Sequence, residues 1–335
     1  MALELCGYFD HNFGDDYMQR TAAYHMSEHK VYIDRENGSS VSLMLLEEPN
    51  VSLKNKSEIK KSPKLLVTGS GFMVNSFSAL KCELIWFLKS KHIADFCVGC
   101  NIEPFNNRIS EWLVAQKLKK FKYIICRDKK SLEWVRKKCP STPADCMPDI
   151  LFAMPKEWIP DKTSDGKLGI SLIKSDDPEY YHKMAEAADY WIEKTGKGVI
   201  LLAFDVGSEN DISACETTGR LIKHRNMVDM VMHGVKGEIP EAFSRCEKII
   251  GARFHSAVLS IKMNIDFYPI IYRMKTQNLI SDISYPVKGS YIDSVDLSDI
   301  KKFLRLKNVG FKLDESYEFK VRQGFESLKS KLEKV

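Results

Sequence analysis

The sequence predicts an α/β protein of two domains, each built on a mainly parallel sheet. Short apolar runs alternate with segments of helical spacing through both halves of the chain. A polar, proline-containing stretch at 155–167 separates the halves, and 335 residues exceed one ordinary core but suit two. Hydrophobic residues at 44% and charged residues at 28% sit near the averages of folded, water-soluble chains, so neither disorder nor membrane burial is indicated.

In the first half, residues 3–8 read as a strand, the glycine-containing stretch 10–16 ends it, and a helix-like run continues through Met26. Residues 41–46 read as another strand and 47–62 as a surface loop. Strand 64–68 then runs into Gly69-Ser70-Gly71, followed by helical spacing over 77–89, a strand at 96–100, helical spacing over 106–119 and a strand at 123–126. The second half repeats the pattern: strand 168–172, helix 178–195, strand 199–203, helix near 213–225, and strands at 229–232, 248–251 and 267–272. Strands alternating with helices in this way imply right-handed crossovers, so both halves are Rossmann-like. The expected boundaries are 1–155, 165–313 and a C-terminal helix, 314–335, that packs back on the core, with a cleft between the two domains.

The net charge of +5 comes from scattered lysines, such as Lys117-Leu118-Lys119-Lys120, and no recognition motif or interleaved aromatic stripe accompanies them. Nucleic acid is therefore not an expected partner, whereas attraction to an anionic membrane surface needs only such lysines. The start lacks a basic residue before its apolar stretch, Asp10, Asp15 and Asp16 follow closely, and no apolar run approaches the roughly 20 residues of a membrane span. The expected location is the cytoplasm. Nine irregularly spaced cysteines read as reduced thiols, and Cys97-x-x-Cys100 lacks the second ligand pair a structural zinc needs, so no metal is expected.

Four loops follow strands directly, where open parallel sheets bind ligands. The first, Gly7-x-x-x-x-Asn12-x-Gly14-Asp15, lets backbone approach closely at its glycines, and Asn12 and Asp15 either bind a sugar hydroxyl or cap a helix. The second, Gly69-Ser70-Gly71, precedes an apolar helix and is either an anion site on free amides or a tight turn. It lacks both the dinucleotide fingerprint and the P-loop ending. The third places Arg127 and Asp128 after a strand, where Asp128 suits a helix cap and Arg127 a ligand or a surface pair. The fourth, Gly251-Ala252-Arg253-Phe254-His255-Ser256, presents a guanidinium and an imidazole at a helix start, and the next strand ends in Arg273-Met274-Lys275.

Together with Pro148-Asp149-Ile150-Leu151-Phe152, these motifs resemble the polysaccharide pyruvyl transferase family, over most of the chain. The run from Gly251 to Lys275 carries most of the resemblance. It implies a GT-B-like fold, places Arg127, His255 and Lys275 at the donor site, and implies transfer of pyruvyl from phosphoenolpyruvate onto sugar hydroxyls of capsular or exopolysaccharide glycans. Family members often act on lipid-linked acceptors, which implies peripheral contact with the inner membrane face. The family's acidic position in the second domain falls on Asp205 or Asp211, and Glu103 stands where the family has a glycine.

The residue types suit that chemistry. A donor bearing phosphate and carboxylate needs fixed cations, for which Arg127, Arg253 and Lys275 are candidates, with Gly69, Ser70 and Gly71 as amide donors. His255 is the candidate for proton transfer, because an imidazole's ordinary pKa lies near neutrality and adjacent cations favour its proton-accepting form. Asn12, Asp15 and Asp211 are candidates to hold acceptor hydroxyls, with Asp15 or Asp211 as base, and no cofactor is called for. The alternative is a GT-B glycosyltransferase using a nucleotide sugar, which would want paired acids for a ribose; Glu238 and Glu241 are the nearest. A non-catalytic glycan-binding protein is the third possibility, and the intact Arg127, His255 and Lys275 argue against it.

Overall fold

The computed structural model describes every residue except 39, 60–61, 70, 73–79, 82–83, 85–93, 103–104, 106, 164, 235–237 and 335. The expected helix at 77–89 and the candidates Ser70 and Glu103 thus lie wholly or mostly outside the described residues. The chain divides into two compact units, Met1–Phe9 with Asp15–Ala153 and Glu315–Val335, and Asp10–Gly14 with Met154–Asp314.

The first unit is built on β1 (Ala2–Cys6), β2 (Lys30–Asp34), β3 (Val51–Lys54), β4 (Lys64–Val67), β5 (Gly71–Phe72), β6 (Phe96–Ile102), β7 (Tyr123–Cys126) and β8 (Ala144–Cys146). Their order is β3-β2-β1-β4-β6-β7-β8, with β5 beside β6, and the neighbouring pairs run parallel. A parallel strand covered on both faces reads as a continuous apolar run, and β7, Tyr-Ile-Ile-Cys, is buried throughout. Strand order reverses between β1 and β4, so the loops carrying Gly7 and Gly69 flank the unit's switch point. Helices α1 (Phe13–His25), α2 (Arg108–Leu118) and α3 (Lys129–Lys138) follow β1, β6 and β7. Asn107 caps α2, and Asp128 caps α3 by accepting from Ser131 N and Oγ, both at 2.8 Å. The tail helix Ser316–Leu332 buries Val321, Phe325, Leu328 and Leu332, and Phe325 stacks on the His25 ring at 4.8 Å.

The second unit contains β9 (Lys167–Ser171), β10 (Val199–Ala203), β11 (Val228–Met232), β12 (Cys246–Gly251), β13 (Asp266–Ile271) and β14 (Ser290–Tyr291), in the order β11-β10-β9-β12-β13-β14. That is the doubly wound Rossmann order, and its switch point lies between β9 and β12. Helix α4 (Pro178–Thr195) shows why its ends are legible: Asp177 accepts from Glu179 N at 3.0 Å, Pro178 opens the first turn, and Gly196 closes it at φ +66°. Helices α5 (Asp211–Leu221), α6 (Phe254–Lys262), α7 (Met274–Asp282) and α8 (Leu297–Arg305) belong to the unit too, as does a seven-residue helix, Glu238–Ser244. Residues 10–14 group here because Phe13 N donates to Phe204 O, Val206 N donates to His11 O, and Asn12 bridges Asp205.

Two sequence expectations fail in the first unit. Residues 41–46 are not a strand: Leu43–Leu46 is a short helix in which Met44 and Leu45 are buried while Leu43 is exposed. A short apolar run has no periodicity to separate the two states. The presumed loop 47–62 contains β3 and a helical turn at Lys56–Ile59, and β2 was unanticipated. Both strands have polar residues among the apolar ones, and β3 is an edge, so neither has a continuous apolar signature. Among the described residues no helix is long and apolar enough to cross a membrane.

Candidate active site

At the carboxyl end of β12 the chain turns through Ala252 and Arg253 into α6, beside the β9–β12 switch point. The turn is locally self-sufficient: Ser256 returns both its N–H and its hydroxyl to the Arg253 carbonyl, at 3.0 and 2.5 Å. This hydrogen bonding sets where the two functional side chains emerge.

Arg253 was expected to grip a ligand anion, but most of its guanidinium is committed to the protein. Its Nε and Nη2 donate to Asp211 at 2.9 and 2.5 Å, and its Nη1 donates to Glu209. The Arg253 side chain is 8% exposed and that of Asp211 0%. Burial opposes charge on Arg253, but the hydrogen bonds and charge of Asp211, then Tyr272 and Glu209, hold the guanidinium more firmly protonated than a free arginine. Asp211 also accepts from the backbone N–H of Phe204 and Asp205, at 3.1 and 3.0 Å. In the structure both oxygens of this enclosed carboxylate are engaged, and they hold Arg253. Asp205, the other candidate for the acidic position, accepts from Asn12 Nδ2 at 2.9 Å and from the N–H of Gly207 and Glu209.

His255 is 7% exposed and stands against Gly14. A Cβ built on Gly14 would lie 1.7 Å from Nδ1 of the imidazole, so only glycine lets the ring occupy this place. The first and fourth sequence motifs thus meet at one point. Asn12 is likewise engaged within the protein: its Oδ1 accepts from Gly14 N at 2.9 Å while its amide donates to Asp205, so both ends hold the loop that receives His255. The Phe254 ring packs edge-on to the imidazole with centroids 5.1 Å apart, and Lys275 Nζ lies 5.4 Å from the Phe254 centroid. Arg273 precedes α7 and lies over Tyr272 at 5.6 Å. Neither α6 nor α7 has a side-chain cap hydrogen bond at its start among the described residues, so both helices direct amide dipoles towards their N-termini.

The remaining candidates belong to the first unit. Arg127 donates from Nη2 to Asn101 Oδ1 at 2.5 Å and from Nη1 to Asp149 Oδ2 at 3.3 Å, with its side chain 5% exposed. The Pro148-Asp149-Ile150 motif has its physical meaning here: Asp149 is the counter-ion of Arg127 and also accepts from Leu151 N at 3.0 Å. Gly71 pairs with Asn101 across β5 and β6, which links the glycine loop to Arg127. Gly69 N donates to Asp15 Oδ1 at 3.3 Å, so the anion facing that amide is the buried Asp15 rather than a ligand.

Sequence reasoning missed Glu209, Asn101 and the role of Asp149. No local signal marks them, because each acts on an arginine 22 to 44 residues away.

A family model described as polysaccharide pyruvyl transferase matches residues 12–273, which takes in Asn12, Arg127, Arg253 and His255 and ends short of Lys275. No curated protein matches the chain. Among solved structures it is similar to the UDP-GlcNAc 2-epimerase of Methanocaldococcus jannaschii, with a TM-score of 0.62 at 10% identity over 98% of this chain and 100% of that one. It is similar too to S. aureus MnaA in its UDP co-structure, with 0.61 at 10% over 100% and 97%. Anabaena Alr3699/HepE, solved with UDP and glucose, gives 0.52 at 10% over 100% and 99%. At such identities the likeness is one of fold, and the fold is of the GT-B type.

Proposed function

The chain belongs to the polysaccharide pyruvyl transferase family, a transferase with a saccharide acceptor, and from that premise we propose that it moves pyruvyl from phosphoenolpyruvate onto two hydroxyls of one sugar as a cyclic ketal. The observation that carries this reading is the imidazole of His255, seated against Gly14 at the second unit's switch point and packed on Phe254, whose ring Lys275 Nζ overlies at 5.4 Å.

The chemistry divides among the residues as follows. Lys275, Arg273 and the opening amides of α6 and α7 receive the donor's phosphate and carboxylate. His255 delivers a proton to the enol methylene, which leaves C2 as an oxocarbenium-like electrophile. One sugar hydroxyl adds there and gives its proton to the imidazole that has just lost one. A second hydroxyl then displaces inorganic phosphate and closes the ketal. Arg253, locked by Asp211, keeps the turn into α6 in register so that the imidazole stays in place. No step calls for a metal. The acceptor proposed is a lipid-linked intermediate of capsule or exopolysaccharide assembly, met in the cytoplasm at the membrane face.

A thermal-shift comparison separates this reading from a nucleotide-sugar transferase. Phosphoenolpyruvate at about 100 times its Kd is expected to stabilise the protein by about 2.7 kcal/mol, a rise of several degrees. Stabilisation by UDP-sugars and none by phosphoenolpyruvate would reject the donor.

A further inference from the structure

Arg253 divides its guanidinium between two unlike carboxylates. Asp211, fully enclosed, already engages two of the guanidinium nitrogens through two hydrogen bonds. Glu209 is a second carboxylate on the same group, and its side chain is 51% exposed. A buried guanidinium with a bidentate partner needs no further anion for stability, since a half-exposed pair adds about 0–1 kcal/mol. What Glu209 faces explains its presence better. Arg253, Arg273 and Lys275 all pull on it: burial alone would raise its pKa, and the charge and hydrogen bond of Arg253, then the charges of Arg273 and Lys275, hold it below the ordinary glutamate range. Three cations gathered at two helix starts repel one another when nothing negative lies among them.

The backbone beneath Glu209 is held while its side chain is not enclosed. Asp205 Oδ1 accepts from Gly207 N at 3.0 Å and Glu209 N at 3.3 Å, and Ser208 N donates to Asp10 at 3.0 Å. Asn210 follows at φ +46°, a left-handed conformation that an asparagine tolerates, and it turns the chain into α5 directly after Glu209. The glutamate can therefore leave Arg253 by a change of side-chain rotamer alone.

We infer that Glu209 is a resident counter-ion of the donor subsite, which an incoming phosphate or carboxylate displaces from Arg253 Nη1 and which returns as the anion leaves. This rests on the donor site proposed above. It adds a specificity element to that site: a ligand must offer Arg253, Arg273 and Lys275 more than the carboxylate it evicts, and the returning Glu209 helps to expel product phosphate.

The test is isothermal titration of the full chain and its Glu209→Gln variant with phosphoenolpyruvate and, separately, inorganic phosphate, at low and moderate salt. The variant is expected to bind both anions about 3- to 10-fold more tightly at low salt, the range of a partly exposed charge pair. Glu247→Gln removes the same charge from the opposite end of β12 and is expected to leave both affinities unchanged. Equal or weaker binding by Glu209→Gln, or no binding of either anion to it, overturns the inference; a matched melting temperature shows that the variant is folded. Tighter phosphate binding without any phosphoenolpyruvate binding keeps the counter-ion and rejects the pyruvyl donor. Phosphoenolpyruvate binding equal in both proteins does the reverse.

Discussion

His255→Ala is expected to lower turnover of phosphoenolpyruvate by roughly 100- to 10,000-fold, the usual contribution of a placed acid or base. The fold should survive, because a single truncated side chain costs about 1–3 kcal/mol against two intact cores. Gly14→Ala reaches the same end by another route. Its Cβ would occupy the space of the imidazole, 1.7 Å from Nδ1, so the ring must leave its position although every residue of the proposed chemistry is still present. Phosphate release measured on both variants checks this. Wild-type turnover in His255→Ala would remove the imidazole from the mechanism, and wild-type turnover in Gly14→Ala would show that its observed position is immaterial.

The largest loss of stability is expected from Arg253→Ala. It leaves the carboxylate of Asp211 at 0% exposure without its cation, a situation that costs about 3–5 kcal/mol. For a unit of this size, that is a fall of roughly 6 to 20 °C in its melting temperature. Arg253→Met combined with Asp211→Asn should recover part of the stability, since the buried charge is removed while an amide oxygen can still accept from Phe204 N and Asp205 N. It should not recover full turnover, because the guanidinium proposed to meet the donor anion is gone. Calorimetry of the single and double variants decides the matter: a single variant as stable as wild type would mean that the pair is not the structural clamp described.

The parallel order of both sheets was legible because their central strands are short, apolar and followed at once by helices with readable caps. Asp177-Pro178 and Gly196 mark α4 from sequence alone, and Asp128 marks α3. Three elements of the first unit were not legible. Residues 30–34 and 51–54 interleave polar with apolar side chains, and 43–46 is too short to show a period. At the site, sequence reasoning found residue types and missed their partners. Arg253, Arg127, Asn12, Asp15 and Asp211 all have the chemistry of ligand-binding groups, and each is seen bonded within its own unit. Whether a cation faces a ligand or a carboxylate depends on residues such as Asp149 and Glu209, which the fold brings from elsewhere in the chain. His255 differs, because its neighbour Gly14 was already marked as a point of close approach.

The central claim is transfer of pyruvyl as a ketal, and its most direct measurement follows phosphoenolpyruvate labelled with carbon-13 at C2 by NMR, in the presence of lipid-linked saccharide acceptors. The account predicts that the label moves to a quaternary ketal carbon on the sugar as an equal amount of inorganic phosphate appears, and that both signals vanish with His255→Ala. Label that stays in phosphoenolpyruvate while a nucleotide sugar is consumed with the same acceptors would contradict it.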